Sequence, residues 1–410
     1  MTTEPIFDLI VVGGGAAGFY GAIRAAEMNP QLKILILEKS NKVLSKVRIS
    51  GGGRCNVTHN CFNPVRLAAH YPRGGKQLKD LFRLHQAKDV VDWFEAKGVK
   101  LKAEEDGRMF PVTDSSETII RCFIEEATRR KIKIQLATGV ERIIRQEKSF
   151  LLHTPEKTFF AKYVLVAIGG NANPVVYNWI KELGHTIAPP IPSLFTFNDS
   201  QLDFRHLMGI SVEHAQVRIA TTKFSQAGAL LITHWGLSGP AVIKLSAWAA
   251  EHLHQVNYNF TALVSWIADV SEEACRQALF EQKKRHPKQK ITSNPLYALP
   301  LRLWQKLCER AEVAEHKVWG DASNKNINRL LENLVRCPFI IKGKTTFKEE
   351  FVTCGGVDLK EIDLSSLESK IAGGLFFAGE VLNIDGETGG FNFQAAWTTA
   401  YVAAKAIAVK

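Results

Sequence analysis

Three glycines at fixed spacing, Gly13-x-Gly15-x-x-Gly18, and a carboxylate twenty residues further on, Glu38, could together hold an adenine dinucleotide. Gly13 permits a tight strand-to-helix turn, Gly15 lets backbone N–H groups approach a pyrophosphate, and Gly18 lets the helix pack closely on the strand. The phosphates would meet the N–H groups around Ala16, where unpaired donors and the helix dipole favour negative charge. Glu38 would accept hydrogen bonds from the ribose hydroxyls, with Lys39 beside it. The pattern points to FAD or NAD(P).

The elements that must position these residues are legible around them. Phe7 to Val12 is an apolar, β-branched run of the kind found in a buried parallel strand, and the small residues after Gly18 continue as a helix. A second apolar strand, Lys33 to Leu37, ends at Glu38. A second glycine turn follows, Ser50-Gly51-Gly52-Gly53-Arg54-Cys55-Asn56, where backbone is expected to pass close to a ligand. Lys46, Arg48 and Arg54 would add positive charge there, suited to a pyrophosphate or a flavin edge.

Further along, residues 76–97 carry apolar positions at helical spacing, and 115–127 form an amphipathic helix. Lys131–Leu136 reads as a strand, with Val140 after it, a place that would lie beside the adenine. Residues 142–160 read as a β-meander. Lys162–Gly170 reads as a buried strand that returns the chain to the cofactor at Ala167 and Gly169. Prolines 174, 189, 190 and 192 mark a boundary.

Residues 193–346 have a different texture, strand-like runs first and helical runs after, with no dinucleotide fingerprint. Residues 1–192 and 347–410 are thus expected to form one cofactor domain, split by this insert. In the return segment, a strand ends at Gly379-Glu380, with Glu380 expected near a ribitol. Asp385 to Gly390 then leads into a helix whose N-terminus, from Gly390 and Phe391, could aim its dipole at a flavin pyrimidine ring. No acid–base pair stands out. His234, in the distinctive loop Thr233–Pro240, Cys55 and Tyr163 are the candidates.

The chain has 410 residues, enough for two or three domains, and a net charge of +11. No apolar run reaches the roughly 20 residues that span a bilayer, and no signal peptide is visible, so a cytoplasmic protein with free thiols is expected. The seven cysteines form no CxxC pair, which argues against a dithiol centre and against a zinc ribbon, and no metal is expected. The charge could serve nucleic acid or an anionic cofactor. The densest basic run, Lys283–Lys290, has no interleaved aromatics and reads as a solvated surface.

Taken together, the chain resembles the BaiN-like (YhiN-like) flavoproteins, also known as aminoacetone-oxidase-family FAD-binding enzymes. The resemblance covers nearly the whole chain. It rests on Ile49–Thr58 (ISGGGRCNVT), Thr233–Pro240 (THWGLSGP), Val352–Val357 (VTCGGV) and Gly379–Gln394 (GEVLNIDGETGGFNFQ). It implies an α/β fold: a Rossmann-like FAD-binding domain of the glutathione-reductase-2 type, split by an inserted β-barrel plus helical domain. It implies one FAD, lined by Gly13, Gly15, Gly18, Glu38, Ser50, Gly51, Gly53 and Asn56. Val140, Gly169, Gly379, Glu380, Gly390, Asn392 and Gln394 complete that lining. Asn383 stands where many relatives carry Asp.

The resemblance leaves the reaction open between oxidation of small amino compounds and NAD(P)H-linked reduction. A second nucleotide fingerprint is absent, so NAD(P)H is expected at most as a transient donor docking directly on the flavin. The leading expectation is hydride exchange between flavin and a small organic substrate. An NAD(P)H-linked flavin reductase, an RNA-modifying flavoprotein and a non-catalytic FAD-binding protein are the alternatives. Substrate and oligomeric state are not legible.

Overall fold

The structure, a computed structural model, describes residues 6–345 and 352–410. The expected 346/347 boundary and Phe351 fall outside these residues. The chain divides into two compact units, one made of Met1–Pro192 and Lys348–Lys410, the other of Ser193–Phe347.

The first unit is built on a mostly parallel sheet. Its central strand β1, Ile6–Val12, pairs in parallel with β2, Ile34–Leu37, on one side and with the long strand Thr158–Val166 on the other. Lys133–Gln135 extends the sheet beyond β2, and Leu375–Phe377 extends it beyond Thr158–Val166, both in parallel. Leu9, Ile10 and Val11 are fully buried, as their unbroken apolar run demands of a strand covered on both faces. Helix α1, Ala16–Met28, and the terminal helix Phe391–Ala408 pack against one another. The return segment thus contributes both a sheet strand and a helix to the domain that the N-terminus begins.

Two runs that read separately in the sequence are one strand here. Thr158–Val166 begins as the third strand of the meander, antiparallel to Phe150–His153, and continues as the neighbour of β1. The region 76–97 resolves into two helices, Gly75–Leu81 and Ala87–Ala96. The proline-rich stretch is itself a strand, Ile187–Ser193, in a two-stranded sheet with Val352–Val357, where a missing N–H is tolerated.

The second unit holds a closed six-stranded barrel. Its strands run in the order Thr196–Asp199, Gly236–Ser238, Ser225–Ile232, Ser211–Ile219, Asn259–Ser265, Cys337–Thr345. All six pair antiparallel, and closure leaves no edge exposed. Helices Glu272–Arg285, Leu301–Arg310 and Asn324–Val335 share one apolar core with the barrel. Among the described residues no helix is long and apolar enough to cross a membrane.

Candidate flavin site

The turn between β1 and α1 has the shape of a phosphate cradle. Gly13 has φ +113°, a conformation that favours glycine, and a Cβ there would lie 2.4 Å from the Ala167 carbonyl oxygen. A Cβ on Gly18 would lie 1.9 Å from the Gly13 oxygen, so only glycine lets the helix sit this close to the turn. At Gly15, by contrast, nothing lies within 4 Å of an added Cβ. That residue is the N-cap of α1, and no side chain caps it. The open space faces uncapped helix N–H groups, as an anion site requires.

Glu38 closes one side of this cradle. Its Oε2 accepts from the Gly14 N–H at 2.8 Å and its Oε1 from the Ser40 N–H at 2.9 Å. The loop after Lys133–Gln135 is tied to it, since the Thr138 N–H donates to the Glu38 carbonyl at 2.8 Å. A Cβ on Gly139 would touch Lys39 at 3.4 Å. Glu38, Lys39 and the segment leading to Val140 therefore form one local surface. Gly14, not singled out from the sequence, fixes the carboxylate through its N–H.

The second glycine turn terminates a helix. In α2, Ser45–Gly53, regular geometry ends at Ser50, and Gly51, Gly52 and Gly53 have φ of +58°, +67° and +84°. Added Cβ atoms at Gly52 and Gly53 would meet nothing within 4 Å, leaving a bare, left-handed stretch of backbone. The three cations expected to charge this turn are each committed elsewhere. Lys46 Nζ donates to Glu380 Oε2 at 2.7 Å. Arg48 pairs with Glu117. Arg54 donates to Glu104 at 2.6 Å and lies over the Phe110 ring. Their charge is answered by carboxylates, so the glycine backbone itself must supply the donors.

Ala167 and Gly169 lead from the end of the sheet towards Glu380. A Cβ on Gly170 would lie 2.7 Å from the Glu380 carboxylate carbon and 2.8 Å from Thr353. Glu380 Oε1 accepts from the Thr353 N–H at 2.9 Å. Lys46, Gly169 and Glu380 thus converge from three distant parts of the chain. Gly379 has φ +78° and its N–H donates to Thr399 Oγ1 at 2.9 Å.

The start of the terminal helix lies on the second glycine turn. Gly390 is its N-cap, with φ +90° and no side-chain cap. A Cβ there would lie 2.5 Å from the Thr58 carbonyl. The Asn56 amide donates to the Thr58 carbonyl at 3.0 Å and accepts from the Gly390 N–H at 2.9 Å. Asn56 is therefore a clamp between the two glycine segments.

Three other expected lining residues have their side chains engaged within the protein. Gln394 is fully buried, accepting from Thr58 Oγ1 at 2.6 Å and donating to Thr398 Oγ1 at 3.0 Å. Asn392 bonds the Gly386 backbone through both amide atoms. Asp385, fully buried, forms a two-point ion pair with Arg73, with Arg73 Nε donating to Oδ1 at 2.6 Å. The buried Phe391 ring, His59 and His70 form one cluster of three stacked rings, with Phe391 centroid distances of 4.7 and 4.2 Å and 6.0 Å between the two imidazoles. Neither histidine stood out in the sequence, because they lie 11 positions apart and only the fold brings Phe391 against both.

The reactive candidates fare differently. Cys55 is fully buried and burial pushes its thiol up to about 12, so at neutral pH it is a neutral thiol and a poor nucleophile. Tyr163 lies mid-strand, opposite Leu9 in β1 and short of the strand's C-terminal end, where ligands of such sheets gather. His234 belongs to the barrel unit, exposed and packed edge-on against Trp235 at the turn before Gly236–Ser238.

The bare backbone at Gly15, Gly52 and Gly53 and the Glu38 and Glu380 carboxylates fit the pyrophosphate, ribose and ribitol of FAD. Comparison with known proteins bears on the family and on FAD as its cofactor. A protein named ribosomal RNA dihydrouridine synthase, from Escherichia coli, is 28% identical over 97% of both chains. A 3-dehydro-bile acid delta(4,6)-reductase from Clostridium scindens is 24% identical over 97% of this chain and 98% of its own. The crystal structure of a 3-ketosteroid-delta4-(5alpha)-dehydrogenase from Rhodococcus jostii RHA1 shares the fold, with a TM-score of 0.51, 13% identity and 98% of both chains covered. The HI0933-like protein Rossmann domain matches residues 7–406, and the chain belongs to that family of FAD-dependent oxidoreductases.

Proposed function

We propose that this protein adds hydrogen across a carbon–carbon double bond conjugated to a carbonyl group. The observation that carries this reading is the pair of relatives aligned end to end with the chain. Dihydrouridine is uridine saturated beside a ring carbonyl, and a delta(4,6)-reductase saturates a double bond of a conjugated steroid ketone. The two substrates differ in every other respect, so the shared chemistry is hydride delivery to an activated alkene. FAD, when bound, supplies a hydride from its reduced ring. The protein's own part is to hold the pyrophosphate at the N-terminus of α1, the ribose at Glu38 and the ribitol at Glu380, and to present the terminal helix dipole to the ring.

A second reading concerns the carrier of the alkene. The insert 193–347 holds nineteen Lys and Arg against thirteen Asp and Glu, and the whole chain is at +11. This excess supports a uridine within RNA over a free small molecule. The test is anaerobic: reduce the yellow protein, add an unmodified ribosomal RNA transcript or a steroid 4-en-3-one, and follow return of the oxidised flavin band. Reoxidation by the transcript, with dihydrouridine formed, supports the RNA reading; reoxidation by the enone alone supports a small substrate. Reoxidation by neither, with peroxide formed from an amine substrate in air, overturns the proposal. Reducing the protein first with NADH or NADPH tests the transient donor.

A further inference from the structure

We propose that His70, held by Glu387, is the proton donor of this reaction; the inference rests on the alkene-reductase reading above. Adding hydrogen to a conjugated alkene takes a hydride and a proton. The hydride and its two electrons come from the reduced cofactor and go to the β-carbon. The π electrons then take a proton at the α-carbon, and the protein must supply it.

His70 Nδ1 donates to Glu387 Oε2 at 3.1 Å, and the Glu387 N–H donates back to the His70 carbonyl at 2.9 Å. The Glu387 side chain is 7% exposed and the His70 side chain 36%. A buried carboxylate thus fixes one ring nitrogen, while Nε2 has no partner among the described residues. This is the arrangement in which a carboxylate holds the tautomer and the far nitrogen exchanges the proton. The imidazole is stacked on Phe391, the first residue of the terminal helix, and His59 joins the same cluster, 4.7 Å from Phe391 and 6.0 Å from His70. The Gly389 backbone lies against this stack, since a Cβ there would be 3.0 Å from the Phe391 ring and 3.7 Å from His59. The dyad therefore adjoins the glycine turn that would carry the flavin pyrimidine ring. The donor form is the imidazolium: Nε2 gives its proton to the α-carbon, the neutral ring keeps its Nδ1–H on Glu387, and the partly exposed ring then regains a proton from solvent.

The test compares His70→Ala and Glu387→Gln with the parent protein, each loaded with FAD and reduced anaerobically. The probes are the ribosomal RNA transcript and the 4-en-3-one. His70→Ala is expected to slow reoxidation by the accepted alkene about 100-fold, the lower end for a general acid. Added imidazole should recover about tenfold of that loss, the general acid then being supplied from solution. Reoxidation by ferricyanide, which needs no proton, should be unchanged, as should FAD content and the oxidised spectrum. Nitrogen-15 NMR of the parent should show His70 Nδ1 protonated and hydrogen-bonded, and Glu387→Gln should release that tautomer and slow the alkene step. Alkene reoxidation of His70→Ala within threefold of the parent overturns the His70 assignment alone. A parent protein that no alkene reoxidises overturns the alkene-reductase reading and this assignment with it. If His70→Ala does not retain FAD, Glu387→Gln decides by the same alkene-to-ferricyanide comparison: an unchanged ratio overturns the assignment.

Discussion

Two glycines three residues apart, Gly15 and Gly18, should respond in opposite ways to the same added methyl group. Gly15 has φ −92° and ψ −167°, and a Cβ there meets nothing within 4 Å. The protein alone should tolerate Gly15→Ala, losing about 0.5–1 kcal/mol for alanine at an N-cap. In a unit of this size that is a fall in melting temperature of about 2–4 °C. The methyl group would, however, occupy the space through which a pyrophosphate reaches the helix N–H groups. Losing two charge-assisted hydrogen bonds at about 1.5–3 kcal/mol each predicts FAD binding weaker by about 10²–10⁴-fold. Gly18→Ala reverses the pattern, because its Cβ would be 1.9 Å from the Gly13 oxygen. Helix and turn must separate, an overpacking cost of about 1–3 kcal/mol or more borne by the protein even without cofactor. Thermal melts of cofactor-stripped protein and FAD titration by flavin fluorescence separate the two quantities. FAD affinity of Gly15→Ala within threefold of the parent would refute the placement of the phosphates at α1.

Burial holds the His85 imidazole down at about 3, where it stacks on Tyr401 and shares a hydrogen bond with Tyr20. The unfolded chain takes up a proton near pH 6.5 that the folded protein refuses, so stability is full above pH 6.5 and falls as pH drops towards 3. From pH 6.5 to 5 the loss is about 2 kcal/mol, and urea midpoints across that range should flatten in His85→Gln. Asp385→Asn, which leaves Arg73 with a neutral partner inside the protein, should destabilise the flavin unit by about 3–5 kcal/mol. Replacing both partners with apolar residues should cost less, as paired thermal melts would show. Native protein should leave Cys55 unlabelled by a thiol reagent at pH 8, whereas denatured protein exposes it; rapid native labelling mapped to Cys55 by mass spectrometry would contradict its burial.

Local patterns carried far in this chain. The run Phe7–Val12, its glycine turn and the strand ending at Glu38 were readable because each depends on neighbours within a few residues: apolar periodicity, small residues at a turn, a carboxylate at a strand end. The terminal helix after Gly390 was legible for the same reason. The helix Pro240–Trp248 was not, because its start coincides with the Trp235–Pro240 loop and its residues are too uniformly apolar to show a helical stripe. Nor did the sequence distinguish the Phe159–Phe160 end of the meander from the central strand, since both belong to one element whose partners change along its length.

What the amino-acid sequence by itself determined is the dinucleotide fingerprint, because the glycine turn proposed to hold the phosphates is specified by residues adjacent in the chain. Only the tertiary structure decided which polar groups remain available to a ligand. Sheet order brings Lys46 to Glu380, Arg73 to Asp385 and Thr58 to Gln394 across more than 300 residues, and each pairing removes side chains from the list of open donors and acceptors. The same long-range packing sets His70 against Glu387. Charges and amides pair with whatever the fold places within about 3 Å, and spacing along the chain holds no record of that distance.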